Sequence, residues 1–278
     1  MSLSYHNPVM LAECMELLDI RPDGVYADLT FGGGGHTSEM LRRGVKHLYA
    51  FDQDADAERN AQEITSKNFT FVRSNFRYLT NWLHYYGVTH VDGILADLGV
   101  SSHQFDESSR GFSFRGDALV DMRMNQQQTF SANDILNTYS EEQLADTLYL
   151  YGELKQARRI AAAIAKARTP GKLWTTNDLS NVVNPFIGRD REKKDLARVF
   201  QALRIEVNGE MDALRDMLCQ TTELLSPGGR LVIMTYHSLE DRMVKNVMKS
   251  GNVDGIVSSD FYGNRNVPFR MIGKPTVA

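Results

Sequence analysis

The chain has little of several things, and each shortage narrows what it can be. Its two cysteines, Cys14 and Cys219, stand in apolar contexts without a C-x-x-C pair or companion histidines. A disulfide scaffold and a zinc site are therefore not expected, and no metal ligands are assigned. No run of about 18 apolar residues occurs, which leaves no candidate membrane span. The first residues, Met1-Ser2-Leu3-Ser4-Tyr5-His6, have neither the basic nor the apolar region of a secretion signal, so a cytoplasmic location is expected. Internal repeats and low-complexity tracts are lacking too. Nor is basic charge in excess: 31 Lys and Arg against 35 Asp and Glu give a net charge of −4, which argues against a generic polyanion binder.

What is present is unevenly spread. A hydrophobic content of 42% with 24% charged residues is that of an ordinary soluble globular protein, and 278 residues allow one or two domains. Residues 150–206, however, hold twelve Lys and Arg against six Asp and Glu, a balance of +6 that leaves −10 for the remainder. Either this segment faces a polyanion or it is a solvated helical surface.

The most informative stretch is Asp28-Leu29-Thr30-Phe31-Gly32-Gly33-Gly34-Gly35-His36. It follows a short apolar run, residues 25–29, and precedes a helical pattern at 37–43, so it reads as a strand, a tight turn and a helix start. Inside a helix or strand each glycine costs about 0.5–1 kcal/mol relative to alanine. Four in a row suit a backbone that bends sharply or touches a ligand, and the helix start offers free N–H groups to a carboxylate or phosphate. A second apolar run ends at Asp52, twenty residues after Gly32, where a ribose diol is held in the βαβ nucleotide-binding arrangement. The dinucleotide fingerprint itself is missing, because Thr37 or Ser38 occupies the place of its third glycine. Asp28 would also repel a pyrophosphate. An adenosine joined to a cation and an amino-acid end fits better, and S-adenosylmethionine is such a molecule.

Strand and helix patterns alternate four times, through residues 69–73 and a strand at 91–100 that carries Asp97. This is the pattern of an α/β fold with a mostly parallel, doubly wound sheet. Residues 101–128 then lose periodicity and include Arg110-Gly111-Phe112-Ser113-Phe114-Arg115, a loop that combines guanidiniums with aromatic rings. Residues 131–207 read as helices throughout, with Ser140 and Gln143 forming a capping box. The α/β pattern resumes with a helix at 210–225, a turn at Pro227-Gly228-Gly229, a fifth strand at 230–236, and a helix opened by His237-Ser238-Leu239-Glu240-Asp241-Arg242. A further strand is expected at 268–272. Residues 1–106 and 208–278 are thus expected to form one domain, interrupted by a helical substrate-recognition domain at 107–207.

The glycine stretch combines with His6-Asn7-Pro8-Val9-Met10-Leu11, Asp97-Leu98-Gly99-Val100-Ser101-Ser102, Arg110-Gly111-Phe112-Ser113-Phe114, Asp121-Met122-Arg123-Met124 and His237-Ser238-Leu239-Glu240-Asp241-Arg242. In that order the motifs resemble the bacterial ribosomal RNA small subunit methyltransferase H family, also called MraW or RsmH. The resemblance covers nearly the whole chain. It implies a Rossmann-like class I methyltransferase fold and transfer of a methyl group from S-adenosyl-L-methionine to the exocyclic N4 of a cytidine in the decoding, P-site region of 16S ribosomal RNA. The implied partner is 16S rRNA, free or within the small ribosomal subunit, and a homodimer is compatible with the sequence. The cofactor contacts implied are Gly34, Gly35, His36, Asp52, Phe76, Asp97 and Gln104. Members of the family continue past a segment like Phe269-Arg270-Met271-Ile272-Gly273-Lys274-Pro275 into a basic tail and a final strand. With Ala278 as the last residue here, an unpaired sheet edge is expected.

A cytosine amine is a poor nucleophile, since its lone pair is delocalised into the ring. An acceptor for its N–H localises the pair and takes the proton. Asp97 is the first candidate and His237, whose type titrates at about 6.5 when unperturbed, is the alternative. Arg110, Phe112, Phe114, Arg115 and Arg123 are expected to meet a single-stranded or flipped-out nucleotide, and Arg158 and Arg159 to grip phosphates. Rival readings are a methyltransferase of the same fold acting on DNA or a protein amine, and a catalytically silent RNA-binding assembly factor. A dinucleotide-dependent oxidoreductase is opposed by the missing glycine and by Asp28.

Overall fold

A computed structural model describes residues 8–188, 192–257, 259–263, 267–273 and 275–276. His6 and Asn7 of the first motif, Arg189 and Arg191 of the basic segment, and Lys274 lie outside them. The chain divides into two compact units, Met1–Gly99 with Met211–Ala278, and Val100–Glu210.

The first unit is built on five parallel strands: β1 (Val25–Asp28), β2 (His47–Asp52), β3 (Phe69–Arg73), β4 (Val91–Asp97) and β5 (Leu225–Met234), in the order β3-β2-β1-β4-β5. Strands of a parallel sheet are covered on both faces, which is why the middle of β4 is apolar, with Ile94, Leu95 and Ala96 fully buried. One face packs α1 (Leu11–Leu18) and α2 (Gly35–Arg42) through Met15, Leu18 and Met40 onto Tyr26, Leu48 and Leu95. The other packs α4 (Leu79–Tyr85), α11 (Glu210–Leu224) and α12 (Ser238–Ser250) through Leu79, Leu83, Leu214, Met217 and Val244 onto Ala27, Tyr49 and Ile94. The short α3 (Ala55–Ala61) sits beside β3, with Ala57 and Ala61 near Phe31. The result is a doubly wound Rossmann-like sheet. Strand order reverses between β1 and β4, and a crevice beyond the carboxyl ends at such a point is where open α/β sheets bind ligands.

The second unit is helical: α5 (Ser102–Asp106), α6 (Ala132–Thr138), α7 (Glu141–Leu150), α8 (Ala157–Lys166), α9 (Thr176–Val183) and α10 (Glu192–Asn208). Ser131, Ser140 and Thr175 open α6, α7 and α9 with reciprocal capping boxes, which satisfy orphan N–H groups at each start. Trp174 fills the centre, fully buried, with its Nε1–H donated to Asn137 over 3.0 Å. The unit begins at Val100, earlier than residue 107, because Val100 packs against this helical core.

Two local expectations differ from what the structure holds. Pro227-Gly228-Gly229 does not precede the fifth strand but lies within it. Pairing runs from Val91↔Leu225 to Gly93↔Arg230, so β5 makes an irregular excursion, with Gly228 at φ 82°, and then rejoins β4. Residues 268–272 form no strand; Phe269 instead packs beside the α12 layer while Met271 and Ile272 are exposed. Among the described strands β5 has one neighbour, β4.

Candidate functional site

The glycine stretch turns directly off β1. Gly32 and Gly34 have φ of 52° and 76°, a conformation that favours glycine. A Cβ on Gly34 would lie 2.8 Å from the Phe31 ring, and one on Gly35 would lie 2.3 Å from the Cγ of Pro8. Gly34 is therefore required by packing as well as by conformation, and Gly35 by packing. Gly33 differs: nothing lies within 4 Å of where its Cβ would be, so the loop leaves open space at that point.

Asp28 braces this loop from beneath. It is 1% exposed, accepts the Thr37 hydroxyl over 2.7 Å and the Thr30 N–H over 3.2 Å, and lies close to His36. Burial raises its carboxyl above the ordinary range, against the pull of His36 and both threonines. His36 is buried at the first turn of α2, with Nε2 3.2 Å from the Val9 carbonyl, to which it donates. Thr30 links the loop to the next strand, since its hydroxyl accepts the Asp97 N–H over 2.7 Å.

Asp52 ends β2. Its two oxygens accept the N–H groups of Gly32 and Asp54 over 2.8 and 2.9 Å, which ties β2 to the glycine loop. Burial pushes its carboxyl up to about 6, although the two backbone donors oppose the rise. Each oxygen keeps one lone pair, enough to receive a diol.

Asp97 ends β4, across the reversal point from Asp28. Loss of hydration holds its carboxyl above the ordinary range. Tyr236 and His36 oppose that rise, and Asp28 and Glu240 add to it. The Tyr236 hydroxyl donates to Oδ1 over 2.6 Å. His237 caps α12: its Nδ1 accepts the Glu240 N–H over 3.4 Å, and its Nε2 lies 3.2 Å from Glu240 Oε1. His237 therefore serves the start of α12 through Nδ1, while its buried Nε2 makes no hydrogen bond among the described residues.

A family model described as the MraW methylase family matches residues 3–278. The chain belongs to that methylase family. Proteins named ribosomal RNA small subunit methyltransferase H agree with this placement. The one from Phocaeicola vulgatus is 57% identical and the one from Parabacteroides distasonis 58%, each over 98% of this chain and 90% of its own length. That from Bacteroides fragilis strain YCH46 is 57% identical over 99% of this chain and 90% of its own length.

For a member of the MraW family, the remaining expected residues fall unevenly. In the first unit Phe76 opens the short 3₁₀ turn before α4, half-buried beside the sheet's apolar layer. In the second, Gln104 is 5% exposed and completes the capping box of α5, with its Oε1 accepting the Ser101 N–H over 3.1 Å.

The aromatic loop is a correction. Phe112 is 7% exposed in the helical core and Phe114 packs edge-on against Phe200, so neither ring is an open platform for a base. Arg110 is buried as well, with its guanidinium over the Phe112 ring and donating to the carbonyls of Arg123 and Met124. Arg123 pairs bidentately with Asp121 at 2.7 Å. Arg115, Arg158 and Arg159 are exposed, with Arg115 over Phe105 and Arg159 over Phe186. In the sequence Thr30, Thr37 and Glu240 stand only as members of motifs and Tyr236, with His237, as the polar end of the fifth strand; none is marked there as a brace. Thr30 and Thr37 flank the glycines, and that position was the one available signal.

Proposed function

We propose that the chain is an S-adenosylmethionine-dependent ribosomal RNA methyltransferase acting on the exocyclic N4 of a cytidine in the decoding region of the small-subunit RNA. The observation that carries the reading is the set of strand ends in the first unit. An open, N–H-rich glycine loop, a diol-competent carboxylate and a second carboxylate with an accessible oxygen stand at the carboxyl ends of β1, β2 and β4. The names of the relatives support ribosomal RNA as the substrate class.

The residues present fit S-adenosylmethionine, because the space over Gly33 admits a ligand and Asp52 retains acceptor capacity. When bound, the cofactor supplies an electrophilic methyl group on a positively charged sulfur. Gly34, Gly35 and the start of α2 would hold its carboxylate, Asp52 its ribose diol, and Phe76 would line the pocket beside them. His36 serves as a wall of that site, fixed by the Val9 carbonyl. Asp97 accepts a hydrogen bond from the substrate amine, localises the nitrogen lone pair, and receives the proton as the new N–C bond forms. Alignment of the amine supplies much of the remaining acceleration. The exposed basic side chains of the helical unit, Arg158 and Arg159 among them, bind RNA phosphates.

The test is a labelling assay with tritiated S-adenosylmethionine against isolated small subunits, naked ribosomal RNA, DNA and free protein, followed by nucleoside analysis. Label recovered as N4-methylcytidine from small-subunit RNA is expected. Label in DNA or protein would move the activity to another substrate, and label in none would leave an assembly factor that has kept the fold.

A further inference from the structure

Tyr236 stands two residues beyond β5. It is 54% exposed, yet its hydroxyl is committed to Oδ1 of Asp97. Two further contacts fix it. Its backbone N–H donates to Oε2 of Glu240 over 2.8 Å, and Glu240 is 3% exposed. One edge of the ring lies over Gly99, φ 91°, where an added Cβ would sit 3.5 Å from Tyr236 Cδ2. Oδ2 of Asp97 receives no hydrogen bond from the described residues.

We infer that Tyr236 is a positioning residue for methyl transfer: by donating to Oδ1 it fixes the plane of the Asp97 carboxylate and leaves Oδ2 as the oxygen offered to the substrate amine. The inference rests on the reading of Asp97 as the amine's acceptor. An aspartate χ2 is broad and nearly two-fold, so an unanchored carboxylate would exchange its oxygens and lose direction. A donor to an ionised acceptor makes one of the stronger hydrogen bonds, and it anchors Asp97 without consuming the oxygen that works.

The same bond favours the ionised acceptor. The groups that face Asp97 are Cys14 on α1, Asp28 at the end of β1, His36 on α2, Glu240 on α12 and Tyr236 itself. Asp28 and Glu240 favour the protonated acid, and His36 and Tyr236 favour the carboxylate. The Cys14 thiol, which burial pushes up to about 12, stays neutral. Removing one of the two groups that favour ionisation shifts Asp97 toward the protonated, non-accepting form.

The experiment compares the full chain, Tyr236→Phe, Tyr236 replaced site-specifically by a fluorotyrosine, and Asp97→Asn. Each is assayed with tritiated S-adenosylmethionine and small-subunit RNA across pH, with cofactor affinity measured by calorimetry. For Tyr236→Phe the acid limb of kcat moves up by about one pH unit, a roughly tenfold loss on the limb. Cofactor affinity is retained, and the high-pH plateau falls severalfold because the ionised carboxylate is no longer held in plane. The fluorophenol is a stronger donor and moves the limb down. An unmoved limb in both variants, or an equal loss at every pH, overturns the role of Tyr236 while an inactive Asp97→Asn leaves the acceptor reading standing. An Asp97→Asn variant that binds cofactor and methylates at full rate overturns that reading and the role of Tyr236 with it.

Discussion

Asp28 and Asp52 are the same residue type at the ends of neighbouring strands, and their surroundings give them different work. Asp28 is closed over by Thr30 and Thr37 and holds the loop's shape. Asp52 uses one lone pair on each oxygen for backbone N–H groups and has the others to offer. Because burial has raised its carboxyl to about 6, acidification protonates it there: the form that accepts two hydroxyls is present above that pH and is lost below it. Cofactor affinity measured by calorimetry is therefore expected to fall severalfold between pH 7 and pH 5. Asp52→Ala should weaken it by roughly 1–3 kcal/mol at pH 7.5 and flatten the pH dependence. A flat profile in the unaltered chain would take Asp52 out of the diol site. Its position was legible in the sequence, since an apolar run ending in an acid twenty residues after the glycines specifies a strand end. The Tyr236 bond to Asp97 was not, because it depends on the register of β4 against β5, which no local pattern encodes.

Helices of the second unit were legible because their starts are written in side chains that cap and their faces in apolar periodicity. The loop between them lacks period, so nothing in Arg-Gly-Phe-Ser-Phe-Arg says which way its rings turn. The structure turns them inward, and ties the loop with the Met122 N–H donated to the Arg110 carbonyl over 3.0 Å. Phe112→Ala should accordingly cost about 3 kcal/mol of stability in urea denaturation, as large-to-small changes at buried aromatic positions do. RNA affinity of the folded fraction should hardly change. An unchanged denaturation midpoint, with RNA binding lost, would return the ring to the surface. The excursion in β5 was illegible for a related reason: Pro-Gly-Gly is a turn signature, and only its pairing reveals that β4 is rejoined on the far side.

Charge is the property that acts across the whole chain. Several of the basic residues in 150–206 work inside their own unit. Arg168 holds the carbonyls of Leu136 and Tyr139, Lys172 lies 3.8 Å from the centre of the Trp174 ring, and Arg204 pairs with Glu210 at 2.9 Å. Lys155, Arg158, Arg159, Lys166, Lys193 and Lys194 remain exposed. If these meet phosphates, RNA affinity should fall steeply with salt. Reversing Arg158 and Arg159 to Glu should reduce the slope of log K against log salt by about one to two. An identical slope in that variant, measured by filter binding from 50 to 200 mM salt, would place the RNA elsewhere.

The interruption of the sheet orders events in time. β4 ends at Asp97 and its partner β5 starts at Leu225, with the whole of Val100–Glu210 between them. That pairing is the most non-local one in the first unit, and distant contacts form late because the loop must close before they reward it. Chains are also made from the N-terminus, so β1, β2 and β4 leave the ribosome well before β5. A nascent chain can thus own the glycine loop, Asp52 and Asp97 while Asp97 still lacks its phenol. The proposed acceptor is completed by one of the last strands to dock, so methyl transfer would await the finished sheet.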